Sequence, residues 1–246
     1  WAASGRTPVR KNWDGLMPVP GDGRYEWNGF FAKDMLPSSY NPPEGFFATA
    51  NEYNLPAGYP AEERKVAFEW TDPSRVSRIK EVLAADGKVS LLDSMKLQGD
   101  AVSPQARRFI KLLRDVPGGT VNINVDHAIK LLTSWDGHLS IDSPAAAIYE
   151  VWANKHLGKA VVAKVTPAAA RELVGSGHLE AILTYLENPD TRLGPNPREA
   201  RTAIILETLK AATDELAGLL GPDPHSWAWG RLHVAKWEPA VAVLAD

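Results

Sequence analysis

Asp72-Pro73-Ser74-Arg75-Val76-Ser77-Arg78-Ile79-Lys80-Glu81-Val82-Leu83 marks a change of period in the chain. Asp72 followed by Pro73 is an N-cap followed by a first-turn proline, and Val76, Ile79, Val82 and Leu83 recur at helical spacing. Upstream, residues 1–60 are dense in glycine, proline and aromatics: Pro18, Pro20, Gly21, Gly23, then Tyr25, Trp27, Phe30 and Phe31, later Pro42, Pro43, Gly45, Phe46 and Phe47. That texture predicts short strands between turns. Gly45-Phe46-Phe47-Ala48-Thr49-Ala50-Asn51 reads as a buried strand, led in by the turn Asn41-Pro42-Pro43-Glu44-Gly45.

Downstream the helical period continues. Ser103-Pro104, Ser143-Pro144 and Thr166-Pro167 each read as a helix start, and Val125 to Leu132 reads as a short helix. Pro197 to Leu220 is the longest amphipathic run, stopped by Gly221-Pro222. From Trp227 to Leu244 the chain turns aromatic and β-branched again, which predicts returning strands. The expectation is one α+β domain in three parts: a strand-rich stretch over 1–65, a helical lobe over 66–226 and the start of return strands over 227–246.

Composition narrows the function. The 246 residues are 44% hydrophobic, which supports a sizeable core. Lys and Arg number 27 against 30 Asp and Glu, a net charge of −3, so no broad cationic field is available for nucleic acid or anionic lipid. No apolar run approaches the roughly 18 residues of a membrane helix. The chain holds no cysteine, which excludes disulfides, thiolate metal sites and a cysteine nucleophile. The six histidines form no HExxH pattern, and no GxGxxG, GxxxxGK[ST] or GxSxG stretch occurs. A metal-dependent amidase is disfavoured by the scattered ligands.

Two polar residues stand out. Asn51 lies in the turn Asn51-Glu52-Tyr53-Asn54-Leu55-Pro56, where an asparagine is either a turn former or an oxyanion donor aimed into a pocket. Arg75 lies in the first turn of a helix, where a cation opposes the macrodipole, so it is either a solvated arginine or one held by a specific partner such as a carboxylate.

Several stretches together resemble the penicillin amidase family of N-terminal-nucleophile hydrolases, the penicillin and acyl-homoserine-lactone acylases. They are Pro8-Val9-Arg10, Gly23-Arg24-Tyr25-Glu26-Trp27-Asn28-Gly29, Leu36-Pro37 and Asn41 to Asn51 as quoted above. Further on come Gln98-Gly99-Asp100, Trp135-Asp136-Gly137, Asp142-Ser143-Pro144-Ala145-Ala146 and Trp227-Ala228-Trp229-Gly230-Arg231-Leu232-His233. The resemblance runs over nearly the whole chain and places it in the middle of the family's β subunit. It implies part of an αββα hydrolase sandwich.

The resemblance implies the chemistry too. A precursor is cut autoproteolytically, and the new N-terminal serine attacks an amide carbonyl with its own α-amine as base. The serine lies upstream of this chain; Trp1 cannot replace it, and Ser4 and Thr7 are not N-terminal. The chain alone is therefore expected to be inactive. Asn51 matches the family's oxyanion asparagine, with Glu52 where the family usually has a second asparagine. Arg75 matches the family's site arginine, which orients the asparagine and the substrate. No catalytic cofactor is implied. A structural calcium is implied through an acidic residue about a dozen positions after the asparagine, where Glu62 and Glu63 stand, although adjacent glutamates are more often solvated surface. The implied partners are the α subunit, the remainder of the β subunit and a small N-acyl substrate, in the periplasm or outside the cell. The rival reading is a non-catalytic fragment or pseudoenzyme scaffold that binds acyl ligands.

Overall fold

The computed structural model describes residues 5–85, 87–119 and 122–237. The chain divides into two compact units, residues 1–98 and 99–246. The expected lobe boundary near residue 65 thus falls inside the first unit. About half of the chain is helical and 4% is strand, a mixed content.

The first unit holds one antiparallel ribbon, β1 (Pro8–Arg10) and β2 (Trp27–Phe30), with Pro8 opposite Phe30 and Arg10 opposite Trp27. β2 carries one extra residue between those pairs, and Gly29 there has φ +79°, the backbone a glycine bulge needs. The expected strand-rich character of residues 1–65 is corrected: outside this ribbon the described backbone is turns, bends and a 3-10 turn at Lys33–Met35. Gly45–Asn51 is not a buried strand. Phe47 is 64% exposed, and Gly45 and Asn51 both have positive φ, at +77° and +66°. Aromatic content reports fit to a paired sheet, not an intrinsic backbone preference, and this segment has no pairing neighbour among the described residues.

Two helices complete the unit, α1 (Ser74–Ala85) and α2 (Leu91–Gln98). Asp72 does cap α1: its Oδ1 accepts the Ser74 N–H at 2.9 Å and also the Ser74 hydroxyl. α2 falls within the helical lobe expected over 66–226, although no spacing singles it out, and it buries none of its residues.

The second unit is helical: α3 (Pro104–Leu113), α4 (Ile123–Thr133), α5 (Pro144–Val151), α6 (Gly158–Val165), α7 (Arg171–Val174), α8 (Leu179–Glu187) and α9 (Pro197–Leu220). Ser103 and Ser143 cap α3 and α5, each hydroxyl accepting an N–H three residues on at 3.1 Å. Thr166-Pro167 leads instead into a 3-10 turn and the four-residue α7, without a side-chain cap at Pro167.

α9 buries Arg201, Ile204, Ile205, Thr208, Leu209, Ala212, Thr213 and Leu216, one stripe at helical spacing. Against it lies a π-helical turn, Trp152–Leu157, that joins α5 to α6. There the Trp152 indole N–H donates to Thr208 Oγ1 at 2.9 Å, so the largest buried side chain keeps its polar atom satisfied. Phe109, Leu113, Ile148, Leu183 and Trp227 fill the same core.

Trp227 therefore packs in a helical core and begins no return strand. The described residues 227–237 form a 3-10 turn and irregular chain, and 238–246 lie outside the described residues. Trp135-Asp136-Gly137 is a turn with the Trp135 indole N–H donating to the His138 carbonyl and the Asp136 carboxylate accepting the His138 N–H, and Gly137 has φ +85°.

Candidate active site

Asn51 sits at the apex of a turn in the left-handed region, φ +66°, which asparagine tolerates better than most residues. What fixes the turn is the entrance to α1, about twenty residues downstream. The Thr71 N–H donates to the Asn51 carbonyl at 2.9 Å, and the Thr71 hydroxyl donates to the Ala50 carbonyl at 3.1 Å. Tyr53 and Trp70 meet edge to face, with ring centroids 5.2 Å apart. The two segments are thus joined on both sides of Asn51.

Arg75 completes the junction. Its Nη2 donates to the Ala50 carbonyl and to Asn51 Oδ1, each at 2.8 Å. The structure brings these two sequence-selected residues together. The partners that offset a cation in the first turn of a helix are carbonyl oxygens, not the carboxylate that charge alone suggested. The contact also settles which way the Asn51 amide faces. A guanidinium only donates, so the atom it meets must be the oxygen. The Nδ2 donors then face away from Arg75, and Nδ2 meets no acceptor among the described residues.

A cavity of about 1100 Å³ adjoins the turn, lined by Phe46, Phe47, Glu52, Tyr53, Leu83 and Val89 among others. It combines apolar walls with a few polar groups, the usual character of a small-molecule site. Phe46 and Phe47 face it, while Phe30 and Phe31 are not among its lining residues. Glu52 is 5% exposed, and its Oε2 accepts the Ala50 N–H at 2.6 Å. Thr71 and this Glu52 bond were not legible in advance. Nothing in the spacing pairs residue 71 with 50, and Glu52 stands out in the sequence only as a departure from the family's second asparagine.

Glu62 and Glu63 are exposed and line a separate cavity of about 560 Å³ with Asp14, Arg10, Lys11 and Lys65. Calcium takes six to eight oxygen ligands. Among the described residues no group of three or more His, Asp or Glu side chains converges on a point, and cations share this cavity with Glu63. The residues described here do not by themselves fit a calcium ion, and no chemical step is assigned to one.

The penicillin amidase family profile matches residues 1–245. The chain belongs to the penicillin amidase family. It is 30% identical to acyl-homoserine lactone acylase QuiP of Pseudomonas syringae pv. tomato over 98% of this chain and 31% of the relative. It is 31% identical to penicillin G acylase of Escherichia coli over 62% of this chain and 19% of that protein. A thermostable penicillin G acylase from Alcaligenes faecalis superposes with a TM-score of 0.63 at 21% identity, covering 90% of this chain and 45% of that one, which establishes a shared fold. The chain spans about a third of the length of the acyl-homoserine lactone acylases it matches. Among the described residues no helix is long and apolar enough to cross a membrane.

Proposed function

We propose that this chain supplies the oxyanion-stabilising part of an acylase that cleaves the amide of an N-acyl compound: a β-lactam side chain, an acyl-homoserine lactone or an acylated peptide. The observation that carries the reading is the Arg75–Asn51 contact, which turns the Nδ2 donors outward.

The chemistry follows from that orientation. A serine elsewhere in the parent protein attacks the amide carbonyl, with its own α-amine, of ordinary pKa about 7.7–8.0, taking the hydroxyl proton. Negative charge then develops on the former carbonyl oxygen. An amide N–H held for that oxygen bonds it more strongly in the tetrahedral intermediate than in the substrate, and this differential lowers the barrier. Collapse expels the amine and leaves an acyl-enzyme, which water hydrolyses to the acid. Arg75, fixed by two carbonyl oxygens, keeps the amide from rotating as charge builds. In this reading the α subunit and the remainder of the β subunit complete both the site and the αββα sandwich, after maturation of a precursor outside the cytoplasm. The 246-residue chain alone is inactive.

The test is Asn51→Ala in the full-length processed enzyme. It lowers kcat by about 10²–10³ and changes KM far less, because the ground-state carbonyl is the weaker acceptor. Near-normal kcat would return Asn51 to the role of a turn former.

A further inference from the structure

We propose that Glu52 is a positioning residue that holds the peptide units in front of Asn51 and thereby aims its amide. This rests on the reading of Asn51 as the oxyanion donor. Glu52 is the only carboxylate side chain that is buried among the described residues, at 5% exposed. Burying a carboxylate is unfavourable unless it is hydrogen-bonded, and its Oε2 does accept the Ala50 N–H at 2.6 Å. A short bond to an ionised acceptor is stronger than a neutral one.

The placement matters because of what else holds Ala50. Its carbonyl accepts from Arg75 Nη2 at 2.8 Å and from Thr71 Oγ1 at 3.1 Å. The Ala50 N–H and C=O belong to successive peptide units, so Glu52 fixes the plane before the Ala50 Cα, and Arg75 with Thr71 fixes the plane after it. Asn51 follows directly at φ +66°, a conformation that a residue with a Cβ keeps only when its surroundings impose it. Arg75 pins the oxygen of the Asn51 side chain; Glu52 pins the backbone from which that side chain departs. With both in place, the direction of Nδ2 is set from two sides. A glutamate here reaches back two residues and supplies the acceptor that the Ala50 N–H requires.

The test is a double-mutant cycle in the full-length processed enzyme, comparing the wild type with Glu52→Ala, Asn51→Ala and the double variant, with Glu52→Gln beside them. Glu52→Ala lowers kcat about 10-fold with KM within about twofold, the scale of one lost hydrogen bond to a charged group. Glu52→Gln, which keeps a carbonyl acceptor at the same reach, recovers most of that loss. In the Asn51→Ala background, Glu52→Ala has no further effect on kcat, because Glu52 acts only through Asn51. Equal losses in both backgrounds would overturn the proposal. So would an unchanged kcat for Glu52→Ala beside a depressed one for Asn51→Ala, and in both cases the Asn51 reading stands. If Asn51→Ala itself leaves kcat unchanged, the Asn51 reading falls and the role of Glu52 falls with it. Should Glu52→Ala give no folded enzyme, the cycle run with Glu52→Gln still decides: a loss of about twofold to threefold confined to the Asn51 background supports the proposal, and the same loss in both backgrounds overturns it.

Discussion

The two units hold their shape by different means. Residues 99–237 bury a contiguous apolar core, from Phe109 through Trp152 to Trp227, whereas Val76 and Pro37 are the only buried apolar residues among the described residues of the first unit. That first unit is organised mainly by hydrogen bonds: Asp72 at the start of α1, Thr71 and Arg75 on the 50–51 carbonyls, Glu52 on the Ala50 N–H. The candidate site lies wholly in the core-poor unit. Directional bonds place a few polar atoms to within tenths of an ångström, while apolar burial stabilises without directing. A site needs the former, and the helical unit illustrates the latter.

The largest effect on stability is therefore expected in the second unit. Trp152→Ala empties a fully buried position, at about 3–5 kcal/mol read from denaturant unfolding of the full-length protein, while Thr208 keeps its hydroxyl bond to the Ile204 carbonyl. Phe47→Ala, at a 64% exposed position in the first unit, should cost less than about 0.5 kcal/mol. Comparable losses for the two would break the contrast. A smaller effect sharpens it: Ser143→Ala removes the cap of α5 and should cost about 1 kcal/mol, with Ser143→Thr largely restoring it.

Another small effect is set by pH. The Arg108 hydrogen bond holds the Glu187 carboxyl below its ordinary value, against a lesser opposing push from burial. The folded state therefore binds this proton less readily than the unfolded chain. The stabilisation is complete above the ordinary value of 4.5 and fades as pH falls below it. Both partners are partly exposed, so the effect stays under about 1 kcal/mol. The gap between the unfolding midpoints of wild type and Arg108→Met should narrow as pH falls below 4.5; a constant gap across about pH 3–7 would show that the pair is not the cause.

Much of the helical unit was legible because its signals are local. Ser103-Pro104 and Ser143-Pro144 cap their own helices, and Pro197 and Gly221 bound α9 where the sequence says they should. The π-helical turn at Trp152 was not legible, since it is fixed by packing on α9. α2 is not singled out by spacing because Leu91, Leu92 and Met95 are exposed, so no buried stripe accompanies its sequence. The strands expected over 1–65 reduce to one ribbon among the described residues because strand pairing depends on distant segments. At the site, the resemblance singled out Asn51 and Arg75, and the first-turn argument required a partner for the arginine. The Thr71 bonds depend on a junction across about twenty residues that no spacing rule reveals, and the Glu52 bond depends on a local backbone turn and burial that composition does not show.

The role of the Asn51 amide is tested most directly by Asn51→Asp in the full-length processed enzyme, measured as kcat with the melting temperature alongside. Aspartate keeps an oxygen for Arg75 but removes the outward N–H and places negative charge where the oxyanion forms. If Nδ2 is the donor, kcat falls by at least about 10²-fold while the melting temperature holds within a few degrees. A kcat within a few fold of wild type, with Arg75 still paired, would contradict an oxyanion role for Asn51.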